Sequence, residues 1–243
     1  MEKFAKGERV IFRTEDGSKQ RGKVTAVLPK LRSIKTDSGH IMKVPVRRLK
    51  KSPDRVLILE GRLDRTLRSN RIYGDMLKTW LSAYGVEALY ERVHTTEDMR
   101  RFLSREGRDI ATRYIHIICH GEDLSGCGTA KLCLTFDKLD LFKNCNVFEN
   151  LTGKILIFSC CEIGNDIKAM EEVKRVSQAA AVICYRISVY DHYTNLAEVL
   201  LYDQLINTNR KPEKIVEQVQ GVLREMEVEA SDTITRKPVL ICY

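Results

Sequence analysis

Two apolar runs in this chain end in residues capable of covalent chemistry. Tyr114-Ile115-His116-Ile117-Ile118-Cys119 leads into His120-Gly121, and Ile155-Leu156-Ile157-Phe158-Ser159 leads into Cys160-Cys161-Glu162-Ile163-Gly164. Read as neighbouring strands about 4.8 Å apart, the runs bring an imidazole and a thiol to one sheet edge, a few Å to about 10 Å from each other. A thiolate is a strong nucleophile, and an imidazole beside it lowers its pKa and later protonates a leaving amine. His120 and Cys161 are therefore the candidate catalytic pair. Glycine at 121 lets the backbone approach a substrate, and its N–H can face a developing oxyanion. Cys161 also precedes an expected helix, whose dipole favours a thiolate.

Cys160 and Cys161 point to opposite sides if the strand persists, and Cys160 continues the apolar run, so Cys161 is placed at the open edge. His116 lies four residues from His120, about 13 Å along a strand, too far to share a metal. It reads as structural. The chain has eight cysteines, but none forms a CxxC pair, and the spacing of Cys119, Cys127, Cys133 and Cys145 departs from that of zinc sites. Most read as core residues, and the dyad chemistry calls for no cofactor.

The surrounding pattern supplies the strands. From residue 54 onward, strand-like and helical periods alternate: strands over 55–59, 86–93, 114–119, 154–159, 179–185 and 238–242, and helices over 69–84, 96–107, 166–177, 193–207 and 212–227. That alternation predicts an α/β domain over 54–243 with a mostly parallel six-stranded sheet flanked by helices. Functional groups in such sheets collect beyond the carboxyl ends of the strands. The segment 135–152, with Phe136, Leu139, Leu141 and Phe142 among charges, reads equally as a loop or a short helix. Residues 1–52 differ in kind: short β-like runs at 9–12, 22–28, 33–36 and 40–45, separated by turn formers, predict a small all-β barrel of SH3-like or Tudor-like pattern.

Charge is uneven along the chain. Residues 1–52 hold 15 Lys and Arg against 5 Asp and Glu, whereas the remaining residues hold 26 against 28. The basic barrel suits a polyanion or an acidic partner as well as it suits a solvated charged surface. Phe4 and Phe12 are its only aromatic rings, which disfavours base stacking. With 43% hydrophobic and 30% charged residues, the chain can bury a core. No run nears the roughly 18 apolar residues of a membrane span, and the start lacks the apolar centre of a secretory signal. These features predict a cytoplasmic protein.

The blocks Tyr114–Gly121, Lys131-Leu132-Cys133-Leu134 and Leu156–Gly164 resemble the caspase-like (clan CD) cysteine peptidases, specifically the CHAT branch related to caspases and separases. That branch carries one strand ending in His-Gly and another ending in Ala-Cys-Glu-Thr-Gly. A further block, Ala179 to Asp191, is similar to the CHAT segment leading to Trp-Pro-Val-x-Asp. The resemblance covers about residues 54–243. It implies that His120 is general base and acid, that Cys161 is the nucleophile, and that the N–H groups of Gly121 and Cys161 meet the oxyanion. Cys160 stands where Ala is usual, Ile163 where Thr is usual, and Arg186 where Trp is common, which implies an altered substrate pocket. Asp191 either lines the pocket for the residue before the scissile bond, favouring Lys or Arg there, or caps the following helix. Ser159 occupies the position where metacaspases carry a specificity acid. The implied function is a cysteine endopeptidase that cuts a protein substrate, such as a gasdermin-like effector, in bacterial defence or cell death. The alternative is a catalytically silent adaptor whose basic barrel holds nucleic acid or an acidic partner.

Overall fold

The computed structural model describes residues 4–52, 54–64, 71–122, 129–208, 210–225 and 238–243. Alternation of inward apolar and outward polar residues shapes the first 51 residues. Strands β1 (Arg9–Arg13), β2 (Lys19–Val27), β3 (Leu31–Thr36), β4 (Ile41–Pro45) and β5 (Lys50–Lys51) form an antiparallel sheet in the order β4-β3-β2-β1-β5. Val10, Phe12, Val24, Ile34 and Val44 face inward and bury Phe4 and Leu49 with them. Gly22 is required at a crowded crossing, because a Cβ there would lie 2.4 Å from the Lys35 carbonyl oxygen.

A six-stranded sheet follows. Its members are β6 (Arg55–Glu60), β7 (Glu87–Arg92), β8 (Thr112–Ile118), β12 (Ile155–Ser159), β13 (Ala181–Tyr185) and β14 (Leu240–Cys242), and the order is β14-β13-β12-β8-β6-β7. All neighbours are parallel except the β13–β14 pair. Strand residues split between two cores: Leu57, Leu59, Ile115 and Ile117 face one side, Val56, Ile58 and Tyr114 the other. Helices α2 (Thr96–Phe102) and α3 (Ile167–Ser177) cover the first side, while α1 (Tyr73–Ala83), α4 (Asp191–Asn207) and α5 (Pro212–Glu225) cover the second. Continuous apolar strands buried on both faces are what such a layered arrangement requires. The chain is thus α/β with a mostly parallel sheet, and no helix among the described residues is long and apolar enough to cross a membrane.

Local signals set the helix ends. Thr95 and Asp98 form a capping box at the start of α2, and Gly85, at φ +78°, follows the end of α1, the conformation glycine adopts at least cost. Three features differ from expectation. Helix α1 begins at Tyr73, with residues 65–70 outside the described set. Helix α2 ends at Phe102 and continues as a π turn over Leu103–Gly107. The ambiguous segment 135–152 contains both a strand, β11 (Lys138–Asp140), and a 3-10 turn at Cys145–Phe148. Strand β11 joins β10 (Lys131–Cys133) and β9 (His120–Glu122) in a small antiparallel sheet beside the main one.

Candidate active site

β8 and β12 are adjacent parallel strands, and Ile118 is paired with Ser159. Two residues further along each strand come His120 and Cys161, so the register carries both to the same edge. The approach is tightest at Gly121: a Cβ there would lie 1.9 Å from the Cys161 carbonyl oxygen and 2.8 Å from Ile163 Cγ2. Only glycine lets β9 rest on the Cys161 turn. The turn itself is sharp, with Glu162 in the left-handed region at φ 64° and the Ile163 N–H donating to the Cys161 carbonyl at 2.8 Å. A non-glycine residue in that conformation costs energy that the surrounding contacts must offset.

The imidazole of His120 is oriented from a third direction. Its Nε2 lies 2.5 Å from the carbonyl oxygen of Leu63, in the segment after β6. A carbonyl can only accept, so Nε2 carries the proton, and in the neutral ring Nδ1 holds the lone pair. Cys161 is half-buried. Its Sγ accepts from the Val189 N–H at 3.5 Å, a contact that strengthens when sulfur carries charge. Cys160 is buried, with its Sγ 3.3 Å from that of Cys119. Burial above all, then the contact with Cys119, pushes the Cys160 thiol well above its usual pKa. It therefore stays protonated and serves as core.

The helix expected over 166–177 is present as α3, but it does not start next to Cys161. A 3-10 turn over Ile163–Asn165 intervenes, and α3 begins at Ile167 with Asp166 capping it through the Ala169 N–H. Because a helix dipole acts within its first turn, α3 is not placed to act on Cys161. Asp166 has a second partner, the Ala130 N–H, and so ties the small sheet to the turn.

Asp191 opens α4, but Tyr190 holds the cap position and no side-chain cap bond forms there. The Asp191 carboxylate instead accepts from the Arg71 guanidinium and the Tyr73 hydroxyl. Arg71 also pairs with Asp64 at 3.3 Å. One residue, Tyr190, stands between Asp191 and Val189, whose N–H is the backbone partner of Cys161 Sγ. Ser159 closes β12 and is half-buried. His116 is buried, bonded to Tyr202 at 3.1 Å and facing Glu198 at 3.2 Å, away from the edge that carries His120. Segments following β6, β8, β12 and β13 thus meet at the carboxyl ends of four parallel strands. The chain matches no protein-family model and no curated protein sequence.

Sequence reasoning missed Leu63, Arg71, Tyr73 and Val189. Leu63 and Val189 act through backbone atoms, which carry no residue signature. A cationic residue preceding an aromatic one at the start of α1 was the only available hint for Arg71 and Tyr73.

Proposed function

We propose that the chain is a caspase-like cysteine endopeptidase of CHAT type, with His120 and Cys161 as its catalytic dyad. The observation that carries this reading is the seating of His120-Gly121 directly on the Cys161 turn, with the His120 tautomer fixed by Leu63. The five-stranded sheet is read as the SH3-like module, and a protein, of which a gasdermin-like effector is the family's example, as the substrate.

The chemistry runs as acyl transfer. Sγ of Cys161 attacks the peptide carbonyl carbon while its proton passes to Nδ1 of His120, and the carbonyl oxygen takes the charge. The N–H groups of Gly121 and Cys161 meet that oxyanion. Collapse breaks the C–N bond, and the leaving amine takes the proton from His120, leaving a thioester on Cys161. Water, deprotonated by His120, then attacks the thioester, and the sulfur departs with its proton restored. Ser159 and Asp191 border the residue before the scissile bond. In this arrangement a substrate arginine competes with Arg71 for Asp191.

A peptidyl-arginine acyloxymethyl ketone, which alkylates an activated thiol, tests the assignment. One adduct, mapped to Cys161 by mass spectrometry, is expected. Cys161→Ala should abolish it, and His120→Ala should slow its formation by about 10²-fold or more. Alkylation of Cys161 at an unchanged rate in the His120 variant would defeat the dyad.

A further inference from the structure

A second concave site lies at the opposite end of β8 and β12. Tyr114 and Ile155, paired across those strands, form part of the wall of a cleft of about 740 Å³ between the first sheet and the six-stranded sheet. His120 lies six positions beyond Tyr114, about 20 Å along an extended chain, so this cleft is not the edge proposed to be catalytic.

Its lining includes six cations, Lys6, Arg9, Lys23, Lys35, Arg113 and Arg210, against two acids, Asp37 and Asp54. The acids are already engaged. Arg9 pairs with Asp37 at 2.6 Å and with Asp54 at 3.0 Å, Arg113 reaches Asp37 at 3.4 Å, and buried Arg21 meets Asp54 at 2.9 Å. Lys6 and Lys35 are exposed and, among the described residues, join no ion pair. Burial first, then repulsion from Arg9, holds the Lys23 ammonium below its ordinary pKa, a penalty that a bound anion would relieve. Helix α5, 14 residues long, begins in the same wall at Pro212 and adds the positive end of its dipole. Val24, Tyr114, Ile155 and Leu205 also border the cleft, but their side chains are buried and lend it little open apolar surface.

We propose that this cleft binds a small polyphosphate-bearing molecule of up to nucleotide size, its phosphates on the lysine and arginine rim. The volume falls within the range of small-ligand sites. A nucleic acid strand fits less well, because the rings of Phe4 and Phe12 are buried and present no open face for stacked bases. The inference stands independently of the peptidase reading.

Calorimetric titration of the full chain tests it, with ATP, inorganic triphosphate, adenosine and a single-stranded RNA 20-mer as probes. ATP and inorganic triphosphate should each bind one to one with similar affinity, and adenosine should not bind detectably. The double variant Lys6→Glu, Lys35→Glu changes two exposed side chains and should keep the wild-type melting temperature while weakening both at least tenfold. Absence of ATP and triphosphate binding, affinity unchanged in the double variant, binding of adenosine alone, or binding of RNA alone would each overturn the proposal.

Discussion

Arg71 bears most directly on what the proposed peptidase would cut. It bridges Asp64 and Asp191 and donates through Nε to Tyr73 at 2.9 Å. The hydrogen bond to Tyr73 heads the influences that raise its pKa, so its charge is permanent. The Arg71 and Asp191 side chains are 35% and 42% exposed, and ion pairs of that kind contribute about 0.2–1 kcal/mol. In the proposed site a substrate arginine would therefore displace Arg71 at modest cost. Arg71→Ala is expected to raise kcat/KM for peptidyl-arginine substrates by about two- to fivefold and to leave substrates with leucine at that position unchanged. Fluorogenic peptide assays check this; a fall with arginine substrates would mean that Arg71 itself binds substrate. The proposed dyad and Gly121 could be picked out of the sequence because few residue types perform the chemistry proposed for them. Leu63 was not, since any residue supplies a carbonyl. The Arg71–Asp191 pair joins positions 120 apart, which no local pattern reports.

At the scale of elements, the small sheet β9–β11 carries His120 and sets the neighbouring Gly121 against the Cys161 turn. Each of its strands has three residues, too few for a period-2 pattern to register, and it went unrecognised for that reason. The longer strands of both main sheets stood out through alternation or unbroken apolar runs. Gly121 is the position where β9 meets the turn. A methyl group there would strike the Cys161 carbonyl at 1.9 Å, and backbone cannot swing aside as a side-chain tip can. Gly121→Ala should therefore cost about 1–3 kcal/mol of stability and move His120 away from Cys161. Thermal denaturation reads the first effect. Alkylation of Cys161 reads the second, with a drop of at least about tenfold expected, since a 1 Å misplacement can cost about 10² in rate. Loss of stability with an undiminished rate would separate this contact from the dyad.

Over the whole molecule, the first sheet is fastened to the second by buried Arg21, which donates to the Ser52 carbonyl at 2.8 Å and the Ala111 carbonyl at 2.9 Å. Lys154, within the second unit and under the charge of Arg21, donates to the carbonyls of Asp109 and Thr112, both at 2.5 Å. The basic bias of residues 1–52 was legible, but its partition between a seam and an open cleft depends on distant partners. Burial, then the charge of Arg21, pulls the Lys154 ammonium down to about 8 from the ordinary lysine value of 10.5. Between those two values the unfolded chain keeps a proton that the folded chain sheds, so the contribution of Lys154 to stability rises with pH across that window. A difference of this size corresponds to about 3 kcal/mol at most. Buried thiols and phenols with raised pKa values, such as Cys184 and Tyr202, pull stability down at high pH in any variant. The readout is therefore the gap between wild type and Lys154→Met in urea denaturation at pH 7.5, 9 and 10.5. Wild type should gain on the variant as pH rises, and a constant gap would show that the two carbonyl bonds keep Lys154 charged throughout the window.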